Sequence, residues 1–432
     1  MTAPRARRAV IVILDGLRRD FVDDRSTPHL AALRRRATWF ASHRGVFPSV
    51  TRVSAASIAT GCRPSGHGLA GNAVALVEDG RLAVHDVGPP EFVDTKRRLT
   101  GRVLDRPTLA ERLGPHGGAV AISNVSPGAA YMLDPDGFGS VYHRAGSYGP
   151  GRVAIDGAEA LAITGDGAGD AAATERFIDE VLKSRRPSLA TLWLCEPDKT
   201  QHGSGLGGAT HRAALAAADA LAGRVIAAVA ALRAAGEEIL LVVGSDHGHE
   251  TVDEVVDVEA ELIAAGLKDG ADSSDVVVAP NGTAALIYVD PAFATRRPAI
   301  GRFLAGRPWA GRVIEPQSFA EFGIAEAGHL AFAVSLAQSD VPNAAGVPGR
   351  SRAVKPLAGK SDRLGVGQHG GLGTHEQSPF LIVDGAGFAP GATVDAPTSI
   401  VDIAPTILSH LGLSPDGMDG RPLQTVPASR IS

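Results

Sequence analysis

The chain has 432 residues, 44% of them hydrophobic, with a formal net charge of -5 and two cysteines. This is the composition of a large globular chain, and two thiols cannot build a disulfide framework or a cysteine zinc site, so Cys62 and Cys195 read as reduced. An acidic balance without an arginine/lysine stripe interleaved with aromatics excludes a polyanion binder, and no nucleic-acid polymer is expected as a partner.

In chain order, the first element is the apolar run 9–14, preceded by Arg5, Arg7 and Arg8 and ended by Asp15. Six apolar residues fall short of the roughly 7 to 15 of an export signal and the about 20 of a membrane span. The run therefore reads as a buried strand in a cytoplasmic chain with no membrane span. Strands are also predicted at 119–122, 189–195, 239–243, 284–289 and 380–383, and helices at 52–60 and 209–235. A last helix follows from the stripe Ile400, Ile403, Ala404, Ile407, Leu408 and Leu411, closed by Gly412. Continuous apolar strands alternating with helices predict an α/β fold with a largely parallel sheet. The turn-rich segments at about 75–160 and 255–360 read as insertions that form a cap or substrate pocket on one catalytic domain spanning 1–432.

Three aspartates, Asp15, Asp198 and Asp246, stand just beyond predicted strands, where parallel sheets bind ligands. Asp198 and His202 are four residues apart, so one helical turn would put both on one side, while His247 adjoins Asp246 at a strand-to-loop corner. A late histidine, His369, lies among glycines before the strand at 380–383, and by position alone His375 competes with it. Counting His369, the set is three carboxylates and three imidazoles without sulfur. Such donors suit zinc first, then manganese or iron, and six are too many for one tetrahedral ion, so two divalent ions are expected. Thr51 falls at the start of the helix of small residues, where free N–H groups and the helix dipole favour an anionic phosphoryl group. It is a candidate nucleophile, with simple helix capping as the plainer role.

The ordered set VILDGLRRD (12–20), TPHLAAL (27–33), FPSVTRVSAASIATGCRPSGHGLAGN (47–72), EPDKTQHGSG (196–205), GSDHG (244–248), QHGG (368–371) and IVDIAPTILSHLGL with MDGRPL (400–423) resembles the alkaline phosphatase superfamily. Within it, the resemblance is to the branch of type I phosphodiesterases and nucleotide pyrophosphatases. The resemblance implies a central, mostly parallel sheet flanked by helices. It also implies one ion on Asp198, His202 and His369 and a second on Asp15, Asp246, His247 and the Thr51 hydroxyl, which selects His369 over His375 and leaves His375 as a pocket or supporting residue. Thr51 would attack phosphorus and form a phosphothreonine that water then cleaves. The expected partner is a small phosphate ester, most simply a phosphodiester or nucleotide pyrophosphate, and homo-oligomerisation is left open.

Relatives of this branch commonly carry an asparagine three residues after the nucleophile, a position held here by Ser54, whose reach is shorter. Ser54 and Arg52 are therefore the candidate substrate contacts. Phosphonoacetate hydrolase and phosphomonoesterase remain rivals, since they share the ligands and the threonine. CRPSG (62–66) imitates a sulfatase signature but has Gly66 where an arginine belongs, and a non-catalytic metal-binding protein would have lost a ligand or the nucleophile. Tyr131, Phe138, Tyr142 and His143 are expected to line the pocket and suit a flat leaving group, with Asn281 and Lys199 as polar contacts.

Overall fold

The computed structural model describes residues 7–324 and 328–426; Arg5 of the basic lead and residues 325–327 of the second insertion lie outside them. The elements that position the site are β1 (Arg7–Leu14), α1 (Thr51–Thr60), β2 (Ala119–Ser123), β3 (Leu189–Leu194), α2 (Ala209–Ala234), β4 (Glu238–Gly244), β5 (Leu381–Asp384) and α3 (Ile403–Leu411). They build a ten-stranded sheet in which β5, β4, β1, β3 and β2 are consecutive neighbours. β4, β1, β3 and β2 run parallel, whereas β5 is antiparallel to β4, with Leu381 opposite Gly244.

Alternate side chains of each strand enter different cores, because successive residues of a strand point to opposite faces. Ile11, Ile13 and Val242 pack with Val53 and Ala56 of α1 and Ile407 of α3. Val10, Val12 and Val243 pack on the other face with Leu215, Ala222 and Val229 of α2. Both faces are covered, which is why these strands read as unbroken apolar runs. By length and composition α2 could cross a membrane, but its apolar stripe is spent on the sheet. α1 is nearly all buried, and it ends at Gly61 in the left-handed conformation.

The expected insertion at 75–160 is divided rather than continuous. Residues 73–86 form a two-stranded hairpin, but Ser140–Tyr142, Ser147–Gly149 and Val153–Ile155 extend the main sheet beyond β2. Three-residue edge strands bounded by glycines carry too short an alternation to be read from sequence. The strand expected at 284–289 is present as Ala284–Val289, but it belongs to a separate four-stranded antiparallel sheet with its own core, which includes Ile287, Ile300 and Val334.

Candidate active site

The parallel strands β4, β1 and β3 end side by side, and the chain beyond each delivers an acid. Asp15 follows β1 and is buried; Trp193 Nε1–H donates to its Oδ2 at 2.9 Å, while Oδ1 has no hydrogen-bond partner among the described residues. Gly16 N–H donates to Asp246 Oδ1 at 3.1 Å, and Asp246 Oδ2 is likewise buried without a hydrogen-bond partner. Asp198 opens a short helical turn, and its N–H donates to the Asp15 carbonyl at 3.0 Å, which locks two strand ends together. Because β5 is antiparallel, its lead-in rather than its end reaches this same edge, and that lead-in carries His369.

His202, His247 and His369 are wired alike. Their Nδ1 atoms lie 3.0, 3.1 and 2.7 Å from the carbonyl oxygens of Gly367, Gly248 and Ser49. A carbonyl only accepts, so Nδ1 holds the proton and the bare Nε2 faces inward, the orientation that metal-ligating histidines take. His202 and His369 Nε2 lie 3.4 and 3.5 Å from Asp198 Oδ1. His247 Nε2 lies 3.2 Å from Asp246 Oδ2, 3.5 Å from Asp15 Oδ1 and 3.1 Å from Thr51 Oγ1. The His247 and His369 rings stack with centroids 3.6 Å apart.

The electrostatics of this arrangement call for cations. Burial, then Asp246 and Asp198, pushes the Asp15 carboxyl well above its ordinary range, and burial raises Asp246 as well. Burial also pushes His369 well below its ordinary range, helped by His247 and His249, and lowers His202. At Asp198 burial acts upward but is outweighed by His202, His249 and His369, so its carboxyl lies well below the usual range. Asp15 Oδ1 and Asp246 Oδ2, which lack donors among the described residues, together with imidazole nitrogens without protons form a donor set that divalent cations fit, since a cation between them replaces repulsion with coordination. Ligand atoms of Asp198, His202, His249 and His369 lie within 4.8 Å of one another, and so do those of Asp15, Asp198 and His247.

His249 was not anticipated from sequence. It is fully buried, its Nε2 lies 2.7 Å from Asp198 Oδ1 and its Nδ1 has no partner among the described residues. The available signal was its spacing: residues 247 and 249 are two apart, the repeat that returns an extended chain to one side. Gly16, at φ +67°, makes room for it, since a Cβ there would lie 2.7 Å from His249 Nε2.

Thr51 is the first residue of α1, with extended Val50 before it, and its hydroxyl lies 3.1 Å from His247 Nε2. With the His247 proton on Nδ1, the Thr51 O–H donates to Nε2. A cavity of about 650 Å³ opens over this centre and is lined in part by Asp15, Thr51, Arg52, Asp198, His202 and His369.

Ser54 is not at the cavity. One helical turn beyond Thr51, it is fully buried and its O–H donates to the Asp246 carbonyl at 3.5 Å. Asn72 lines the cavity instead. Its Oδ1 accepts the Arg52 N–H at 3.1 Å, which leaves the amide NH2 for a ligand. Lys199 and Asn281 also line the cavity, but both ends of the Asn281 amide are engaged with the backbone of residues 72, 73 and 279. His375 lies outside the lining, where Arg18 and Asp340 hold its two ring nitrogens.

The aromatic residues expected in the pocket are elsewhere. Tyr131, Tyr142 and His143 are buried in packing contacts, and Phe138 is 44% exposed away from the cavity. Cys62 sits past the far end of α1, with its Sγ against the Thr60 and Gly417 carbonyls. The ten residues of α1 separate it from Thr51 by about 15 Å, which removes the sulfatase reading.

Comparison with known proteins adds two findings. The chain matches the family described as type I phosphodiesterase / nucleotide pyrophosphatase over residues 9–301. It also shares its fold with murine ectonucleotide pyrophosphatase / phosphodiesterase 5. An inactive variant of that protein in complex with AMP matches at a TM-score of 0.65 and 17% identity, covering 98% of this chain and 100% of the other. A second structure of the murine protein gives 0.64 and 17%, covering 96% and 97%. No curated protein sequence matches.

Proposed function

The chain belongs to the type I phosphodiesterase / nucleotide pyrophosphatase family and is a phosphoric ester hydrolase, and on that premise we propose that it cleaves phosphodiesters through a covalent intermediate on Thr51, in a centre that holds two divalent cations. The observation that carries this reading is the Thr51 hydroxyl at the head of α1, 3.1 Å from His247 Nε2 and open to the cavity. Asp198, His202 and His369 would hold one cation, and Asp15, Asp246, His247 and the Thr51 oxygen the other. Zinc is the expected metal, with manganese or iron next. When bound, the cations supply the charge that makes a threonine hydroxyl ionisable and neutralises phosphoryl oxygens.

The protein's own groups do the rest. α1 holds Thr51 at its start and directs its dipole at the phosphoryl group. The Asn72 amide and the Arg52 guanidinium, which line the cavity with Thr51, supply donors for non-bridging oxygens. Thr51 Oγ forms a bond to phosphorus as the ester oxygen departs, and water then cleaves the phosphothreonine, so one hard displacement becomes two easier ones. In the murine relative, a threonine-to-alanine replacement accompanies the inactive form, in keeping with a threonine at the centre of the reaction.

A panel of bis(4-nitrophenyl) phosphate, 4-nitrophenyl phosphate, 4-nitrophenyl sulfate and phosphonoacetate on one metal-reconstituted preparation tests the proposal. The diester is expected to turn over fastest, and Thr51→Ala to lose about three or more orders of magnitude in kcat. Preference for the sulfate or the phosphonate overturns the substrate class, and activity retained in Thr51→Ala overturns the mechanism.

A further inference from the structure

The cavity is more cationic than chemistry on one phosphoryl group requires. Arg52, Arg144, Lys199, Lys360 and Arg363 line it, against Asp15 and Asp198, which belong to the cluster beneath. Among the described residues only Lys360 of these five has a carboxylate within ion-pairing distance, Asp86 at 2.5 Å. Arg52 Nε is buried without a hydrogen-bond partner among the described residues. Arg144 and Lys199 converge on Gly165: a Cβ there would lie 2.8 Å from Arg144 Nε, and Lys199 Nζ donates to the Gly165 carbonyl. Arg144 is held in place by donation from one terminal nitrogen to Asn124 O, Asn124 Oδ1 and Val125 O at 2.6, 2.8 and 3.0 Å. No Phe, Tyr or Trp lines the cavity among the described residues, so it offers no stacking platform.

Of these five cations only Lys360 is closely ion-paired, and the others sit in a concave site at a desolvation cost that an anionic ligand offsets. Resting on the phosphodiesterase reading above, we propose that the natural diester carries a second oxyanion, a carboxylate or a phosphate, on an arm bound between Arg144 and Lys199, and that a nucleobase is not the group this cavity recognises. The second anion is distinct from the phosphorus centre: the cations beside Gly165 hold it, while Arg52 and Asn72 serve the phosphoryl oxygens. Arg144, fixed by its backbone contacts, gives the directional half of this subsite and Lys199 the flexible half.

The test uses diesters that share one 4-nitrophenyl leaving group and differ only in the other arm: ethyl, 2-carboxyethyl, 2-phosphoethyl or a 5′-thymidyl group. Both charged arms are expected to exceed the ethyl arm by about tenfold or more in kcat/KM, chiefly through KM. The advantage should shrink between about 50 and 500 mM salt. In Lys199→Met the charged-to-ethyl ratio should fall toward one, and Arg144→Gln reads the same ratio through the other half of the pair. A carboxylate advantage without a phosphate one, or the reverse, identifies which oxyanion the subsite takes and upholds the inference. Equal rates for charged and ethyl arms, or a thymidyl arm that outperforms both charged arms, overturn the inference and leave the phosphodiesterase reading intact. No turnover of any of the four overturns that reading instead.

Discussion

His67, His143 and His211 each accept a backbone N–H at Nδ1, from Leu69, Ala145 and Gly207 at 3.2, 2.9 and 2.9 Å. Their Nε2 atoms face the oxygens of Ser57, Val125 and Gln201. His202, His247 and His369 are wired the opposite way, with Nδ1 on a carbonyl and Nε2 bare. The first group is held neutral as part of the scaffold, and the second is prepared to coordinate. His249 belongs to neither group. Its Nε2 is 2.7 Å from Asp198 Oδ1, so it acts on the proposed ligand carboxylate as a positioning residue. Loss of such a partner typically weakens metal binding 10- to 100-fold. His249→Leu is therefore expected to raise the metal dissociation constant by about that factor in a chelator competition, and His249→Gln to recover part of it by keeping an N–H donor. In the sequence, four-residue spacing and strand-end position were enough to single out Asp15, Asp198, His202, Asp246 and His247. Ring-nitrogen wiring is not written in spacing, which is why His369 and His375 could not be separated by position, whereas His249 is signalled only by its two-residue spacing from His247. Ser54 misled for a related reason: three positions along a helix turn a side chain about 300°, and the missing rotation aims it at the Asp246 carbonyl.

α2 gains its stability from contact with the sheet rather than from its own composition. Leu215 is fully buried against the face of the sheet that presents Val10 and Val12. Leu215→Ala should cost about 2–5 kcal/mol, read as a lower denaturant midpoint with an unchanged slope. An unchanged midpoint would mean that the helix does not pack there. The six predicted strands and the three predicted helices all exist because long apolar runs and helical stripes are strong signals at the scale of one element. Partnership between elements is a weaker signal. Nothing in AALIYV distinguishes a central strand of the main sheet from one in a second sheet, and the antiparallel course of β5 follows from the connection before it, not from its own residues. That course has a functional result, because only an antiparallel strand brings its preceding loop, with His369, to the edge where β1, β3 and β4 end.

Across the whole molecule, the neutral scaffold histidines contribute to the response to acid. Burial is the leading cause that pushes His67 down to about 3 and His143 and His211 to about 4. An unfolded histidine titrates near 6.5, so these groups favour the fold fully above that pH. The contribution is lost as pH falls from about 6.5 toward 4, while the unfolded chain binds protons that the folded chain refuses. His67→Asn keeps an acceptor for Leu69 N–H but cannot titrate. In metal-stripped protein, its stability is expected to fall less steeply than that of the parent, by about 1.4 kcal/mol per pH unit between about pH 6 and 4. Equal slopes would show that His67 is already protonated in the fold. The order of the chain adds a temporal side to the geometry. The proposed ligands begin at Asp15 and end at His369, and β5, an interior strand of the sheet, is complete only at Asp384. The residues proposed for one cation are all present once His247 is made, whereas the set proposed for the other waits for His369, so a growing chain would complete the two sites in that order, the later one only when most of the scaffold that must hold it exists.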